Sequence, residues 1–80
     1  MVFDWGRWSF RVRINDRTIT LQSELLIPTP GMTDYLIFSD SVKSWEPPFE
    51  NEIIDARTKQ DILKAAVEGM IAIGRVPKVI

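Results

Sequence analysis

The sequence predicts an α+β fold: an antiparallel sheet of about four strands with one C-terminal helix packed on one face. Three observations lead there. Residues 9–22 alternate apolar and polar side chains with period two, residues after Thr58 repeat their apolar positions at helical spacing, and glycines and prolines punctuate the remaining apolar runs.

In the run Ser9 to Asn15, Phe10, Val12 and Ile14 share one face while Arg11 and Arg13 share the other, the pattern of a half-buried strand. Asn15-Asp16 supplies turn chemistry, since both residue types tolerate positive φ. Residues 17–22 alternate again, with Ile19 and Leu21 inward and threonines outward. The two runs read as a hairpin. Leu25-Leu26-Ile27 extends the second strand, and Pro28-Thr29-Pro30-Gly31 ends it, because proline cannot donate to a ladder. Residues 34–38 suit a third strand. Ser39-Asp40-Ser41 is a polar break, and Val42 to Trp45 reads as a short fourth strand closed by Pro47-Pro48. A polar connector spans 49–57. Thr58 then opens the helix as its cap, with Asp61 in the place of a capping-box acid. Leu63, Ala66, Val67, Met70 and Ile71 form the apolar stripe, opposite Gln60, Lys64 and Glu68. Gly74 sits where a helix ends, Pro77 forbids continuation, and Val76 to Ile80 can dock as a last extended segment. The expected core is Phe10, Val12, Ile14, Ile19, Leu21, Leu36, Phe38, Leu63, Val67, Met70 and Ile71.

Eighty residues, 45% of them apolar, suit one domain over residues 1–80 with a modest core. Without cysteine there is no disulfide and no thiolate metal site; without histidine the commonest metal ligand and general base are missing. No Gly-rich phosphate loop occurs, and no nucleophile–base pair stands out. The expectation is a protein that is not an enzyme, with no catalytic residues, no metal and no cofactor. A net charge of −1 gives no bulk attraction to nucleic acid or anionic membrane. No apolar run approaches the length of a membrane span, and the first residues do not read as an export signal, so the cytoplasm is the expected compartment.

Charge is nevertheless segregated. Residues 24–61 hold eight acids and three bases, a net of −5, and the rest of the chain is basic. An acidic surface at the connector suits a basic partner, although charge clusters in short chains are often only solvated loops. Arg11, Arg13 and Arg17, with Trp5 and Trp8 near them, suit a single-stranded nucleic-acid face. The plainer reading, a wet arginine face with aromatics stapling a small core, stands ahead of it and makes nucleic acid a disfavoured partner. Trp45-Glu46-Pro47-Pro48-Phe49 is the most unusual string; a core tryptophan closing a strand is the first reading and an aromatic anchor at a binding surface the second.

The stretch Ser41-Val42-Lys43-Ser44-Trp45-Glu46-Pro47-Pro48, an acidic connector, Ile53-Ile54 and a helix ending near Gly74 resemble the immunity protein 74 family of bacterial polymorphic-toxin systems. The resemblance runs from about Phe10 to Val79. Val42 stands where isoleucine is usual, and the connector lacks a glycine. The resemblance implies an immunity protein that binds and neutralises one cognate toxin domain by occlusion, with a nuclease among the candidate toxins. Ser41, Trp45 and Pro48 are then family-motif residues of structural role. Charge alone, not the resemblance, points to Glu46, Glu50, Glu52 and Asp55 as the toxin-facing set. The alternative is a nucleic-acid-binding or regulatory module working through Arg11, Arg13 and Arg17; homodimerisation is open.

Overall fold

A computed structural model describes residues 1–27 and 29–80. Its elements run β1 (Val2–Phe3), β2 (Ser9–Ile14), β3 (Arg17–Leu25), β4 (Tyr35–Ile37), α1 (Ala56–Ala72) and β5 (Pro77–Val79). They form one sheet in the order β1-β2-β3-β4-β5. The first four strands pair antiparallel; β5 joins β4 in parallel. The parallel pairing follows from the helix between them, which returns the chain to the end of the sheet where β4 began. The α+β class is as expected, with the tail supplying an edge strand.

The hairpin forms as its alternation dictates. Ile14 faces Arg17 across Asn15-Asp16, and Asn15 takes the positive φ of 57°. Cross-strand pairs Phe10–Leu21 and Val12–Ile19 are buried under α1. Val2 and Phe3, read from sequence only as part of an aromatic start, pair with Val12 and Arg11 as an edge strand. Pro28 lies outside the described residues, so its expected part in ending β3 is not assessed; Gly31 turns at φ 77°.

Three expectations are corrected. In β4 the inward residues are Tyr35 and Ile37, while Leu36 and Phe38 are only half-buried. Four consecutive apolar residues, Tyr35 to Phe38, do not reveal which of two faces is inward. The register is decided by Tyr35, whose hydroxyl donates to the Gly6 carbonyl at 2.8 Å and shares a 2.7 Å hydrogen bond with Ser23. Burial pushes the Tyr35 phenol upward in pKa, partly offset by that bond to Ser23. Val42 to Trp45 is not a strand but an irregular segment after a 3₁₀ turn at Ser39–Ser41, with Val42 and Trp45 buried in the core.

The third correction is the helix. It starts two residues before Thr58, because Asp55 is the cap: its carboxylate accepts the Thr58 backbone N–H at 2.8 Å. The three-residue spacing that looked like a box from Thr58 to Asp61 is the same spacing from Asp55 to Thr58. The buried row is Ile62, Leu63, Ala66 and Met70, and Ile71 is 59% exposed. Ile71 lies about 100° around the helix from Met70, which carries it past the edge of the sheet. The end is as expected: Gly74, at φ 91°, donates to the Ile71 carbonyl (3.0 Å), and Arg75 donates to that of Met70 (2.9 Å).

Two stability predictions follow from this packing. Ile62→Ala should cost about 2–5 kcal/mol, whereas Ile71→Ala should change stability by no more than about 0.5 kcal/mol; urea unfolding measures both. Gly69→Ala should also destabilise, although alanine is the better helix former by about 1 kcal/mol. Its new Cβ would press on the Val2 side chain, 2.9 Å from Val2 Cβ.

Candidate functional site

Alternation puts Arg11 of β2 and Thr20 of β3 side by side on the face turned away from α1. The connector after β4 crosses that face. Glu46 accepts two hydrogen bonds from one guanidinium, Arg11 Nε at 3.0 Å and Nη2 at 2.6 Å, and a third from the Thr20 hydroxyl at 2.9 Å. Arg11 Nη1 reaches Asp4 at 3.0 Å. Six residues further on, Glu52 accepts from Arg17 Nε at 2.8 Å and Nη2 at 2.7 Å, and Arg17 Nη1 donates to Asp16 at 2.6 Å. Between the two pairs, the Phe49 ring lies 4.2 Å beneath the Arg17 guanidinium. Bidentate arginine–carboxylate pairs fix direction as well as distance, so these two clamps hold the connector in one register on the sheet. Their hydrogen bonds keep both the Glu46 and the Glu52 carboxyl below the usual carboxylate range, and hold Arg11 and Arg17 still more firmly protonated.

The residues expected to face a toxin are therefore brought together only in part. Glu46 and Glu52 are bound to arginines, and Asp55 caps α1, its carboxyl lowered mainly by the Thr58 N–H. Glu50 is exposed and makes no hydrogen bond or ion pair among the described residues. The expected arginine face is not one face: Arg11 and Arg13 point outward, whereas Arg17, opposite Ile14, lies by alternation on the side of Ile19 and Leu21. Arg11 and Arg17 are the other halves of the clamps, and Arg13 donates to the Asn15 carbonyl at 3.3 Å. Parts of the acidic and arginine sets that look separate in the sequence thus meet and neutralise each other, leaving Glu50 and Arg13 outside the pairs.

The family-motif residues seat this connector. Ser41 donates to the Phe38 carbonyl at 2.6 Å and accepts the Gln22 N–H at 2.9 Å. Trp45 is buried, and Pro48 is exposed in the turn that leads to Phe49. Trp5 and Trp8, expected to staple the core, are instead 40% and 61% exposed, under the guanidiniums of Arg75 and Arg7. The available signal for this was Gly6 and the charged residues interleaved with the rings. Among the described residues no cluster of three acidic side chains could hold a metal, and no helix is long and apolar enough to cross a membrane.

A family model, immunity protein 74, matches residues 3–73. The chain belongs to the immunity protein 74 family. No curated protein and no solved structure matches it. The immunity protein 74 match takes in both clamps, the exposed tryptophans and all but the end of the C-terminal turn, and leaves β5 outside.

The clamps carry a pH dependence whose sign is fixed. Both carboxyls titrate below their unfolded value of about 4.3. Between the folded and unfolded values the unfolded chain binds more protons, so stability rises with pH there. The contribution is complete above the unfolded value and lost as pH falls through the folded one. Glu46→Gln with Glu52→Gln should therefore melt below the wild type at neutral pH, and the gap should narrow as pH falls below the ordinary glutamate range. Thermal unfolding across that range measures it.

Proposed function

We propose that this protein is an immunity protein that binds one cognate toxin domain in the cytoplasm and neutralises it by occlusion, with no chemistry of its own. The observation that carries the reading is membership in the immunity protein 74 family over residues 3–73. The internal use of the chain's paired carboxylates supports it: Glu46, Glu52 and Asp55 serve the sheet face and the helix cap. We propose a nuclease as the kind of toxin, the class that the resemblance suggests. If the acidic connector takes part, Glu50 is the residue through which it does, because it alone of the four carries charge that nothing internal offsets. Reversing Glu52 or Asp55 instead would disturb a clamp or a cap and confuse recognition with folding.

The test uses the toxin domain encoded beside this chain. Cells expressing that domain should grow only when this protein is co-expressed, and the two should copurify. Growth arrest despite full expression of folded protein would sink the reading. The same purified protein should bind single-stranded RNA or DNA no more tightly than the non-specific range of about 10⁻⁴–10⁻⁶ M at physiological salt. Sub-micromolar, salt-sensitive binding abolished by Arg13→Glu would favour the nucleic-acid alternative.

A further inference from the structure

The end of the sheet away from the Asn15-Asp16 turn is assembled from three loops. Residues 4–8 precede β2, residues 26–34 join β3 to β4, and residues 73–76 join α1 to β5. Main-chain bonds tie the first loop to β3 and join the other two at Asp34. Ser23 donates to the Trp8 carbonyl at 2.9 Å and Leu25 to that of Arg7 at 3.0 Å. Leu26 donates to the Asp34 carbonyl at 2.8 Å, and Asp34 to that of Val76 at 3.1 Å. Gly6 donates to the Ser9 carbonyl at 2.8 Å and accepts from the buried Tyr35 hydroxyl at 2.8 Å. Asp4 enters this loop at φ 48°.

Around this frame several large apolar side chains are exposed. Trp8, Ile27, Met32 and Val76 are 61%, 89%, 61% and 46% exposed, and Trp5 stands beside them. Arg7 lies 5.2 Å over Trp8 and has no carboxylate partner among the described residues. Arg75 lies 4.9 Å over Trp5; its nearest carboxylate, Asp34, is 3.6 Å away and already accepts the Val76 N–H. The Arg75 Nε is buried with no hydrogen-bond partner among the described residues. Rings held on a rigid backbone lose little freedom when a partner covers them. Tryptophan and arginine are also the residues that most often dominate binding energy. Arg7 is the guanidinium at this end that no carboxylate among the described residues offsets, so the surface it fits carries a carboxylate beside an apolar depression.

We propose that the toxin domain docks on this end, with Trp5 and Trp8 as anchors and Arg7 pairing with a carboxylate on the toxin. The inference rests on the proposed immunity function and names the surface that performs it. It places recognition at the far end of β2 from Glu50.

The experiment titrates a purified, catalytically inactivated form of the adjacent-gene toxin domain into the full chain by calorimetry. Trp8→Ala and Arg7→Glu should each raise Kd by at least about thirty-fold with an unchanged thermal midpoint, since both side chains are exposed. Glu50→Lys should stay within about threefold. Should Trp8→Ala lower the midpoint, Arg7→Glu carries the test, because the Arg7 contribution to the fold is its main-chain carbonyl. Wild-type binding that Trp8→Ala and Arg7→Glu both leave within about threefold would overturn the docking surface and leave the immunity function standing. Loss on Glu50→Lys alone would do the same and place recognition at the connector. A wild-type chain that fails to bind would overturn the immunity reading itself, and this inference with it.

Discussion

The third strand has more edge than the fourth can cover. β3 is nine residues long and β4 is three, pairing only with Ser23, Glu24 and Leu25. On the side away from β2, the first half of β3 would present free main-chain groups, which are costly when buried and an invitation to mispairing when open. The chain leaving β4 closes that edge piecemeal. Phe38 donates to the Gln22 carbonyl, Ser41 Oγ accepts the Gln22 N–H, and Glu46 donates to the Thr18 carbonyl. Once the Glu46 backbone is placed against Thr18, its side chain is delivered to Thr20 and Arg11 on the outer face, while Trp45 turns into the core. Glu52 then reaches Arg17, and Asp55 begins the helix. The clamps, the cap and the direction of α1 all follow from one unfinished edge.

This arrangement decides which surfaces are free to meet a partner. A charged side chain bound on both carboxylate oxygens by an arginine offers less to an outside charge than its formal −1 suggests, and exposed pairs of this kind contribute mainly position. The sheet face is thereby largely neutral. The tryptophan end is built the other way. Its backbone bonds are satisfied internally through Tyr35 and Ser23, while its tryptophans stay exposed and Arg7 has no carboxylate partner among the described residues. For the proposed recognition of a toxin, exposed rings beside the Arg7 guanidinium are better suited than carboxylates already engaged.

The parts legible in the sequence are those governed by local rules. Arg11 and Arg13 against Phe10, Val12 and Ile14 could form only a strand with one wet face. Gly74 followed by Pro77 could end only a helix, and the stretch from Ser41 to Pro48 carried the family. Candidate-site residues were legible as chemical types but not as partners. Glu46 and Arg11 are 35 residues apart, and no spacing rule links positions brought together by a connector crossing a sheet.

The sequence by itself determined the α+β class, the hairpin register, the helix with its glycine stop, and the family, because period, turn chemistry and motif are properties of neighbouring residues. Only the tertiary structure decided that Tyr35 rather than Leu36 faces inward, that Asp55 rather than Thr58 caps α1, and that Val42 to Trp45 closes an edge without becoming a strand. It also decided that Glu46 and Glu52 are taken up by Arg11 and Arg17 while two tryptophans remain outside. Each of these outcomes depends on which distant group supplies a hydrogen bond or fills a space: Ser23 and Gly6 for Tyr35, β3 for the connector, and Arg11 and Arg17 for the glutamates. Such choices are made between segments that meet only when the chain has folded, which is why local pattern left them open.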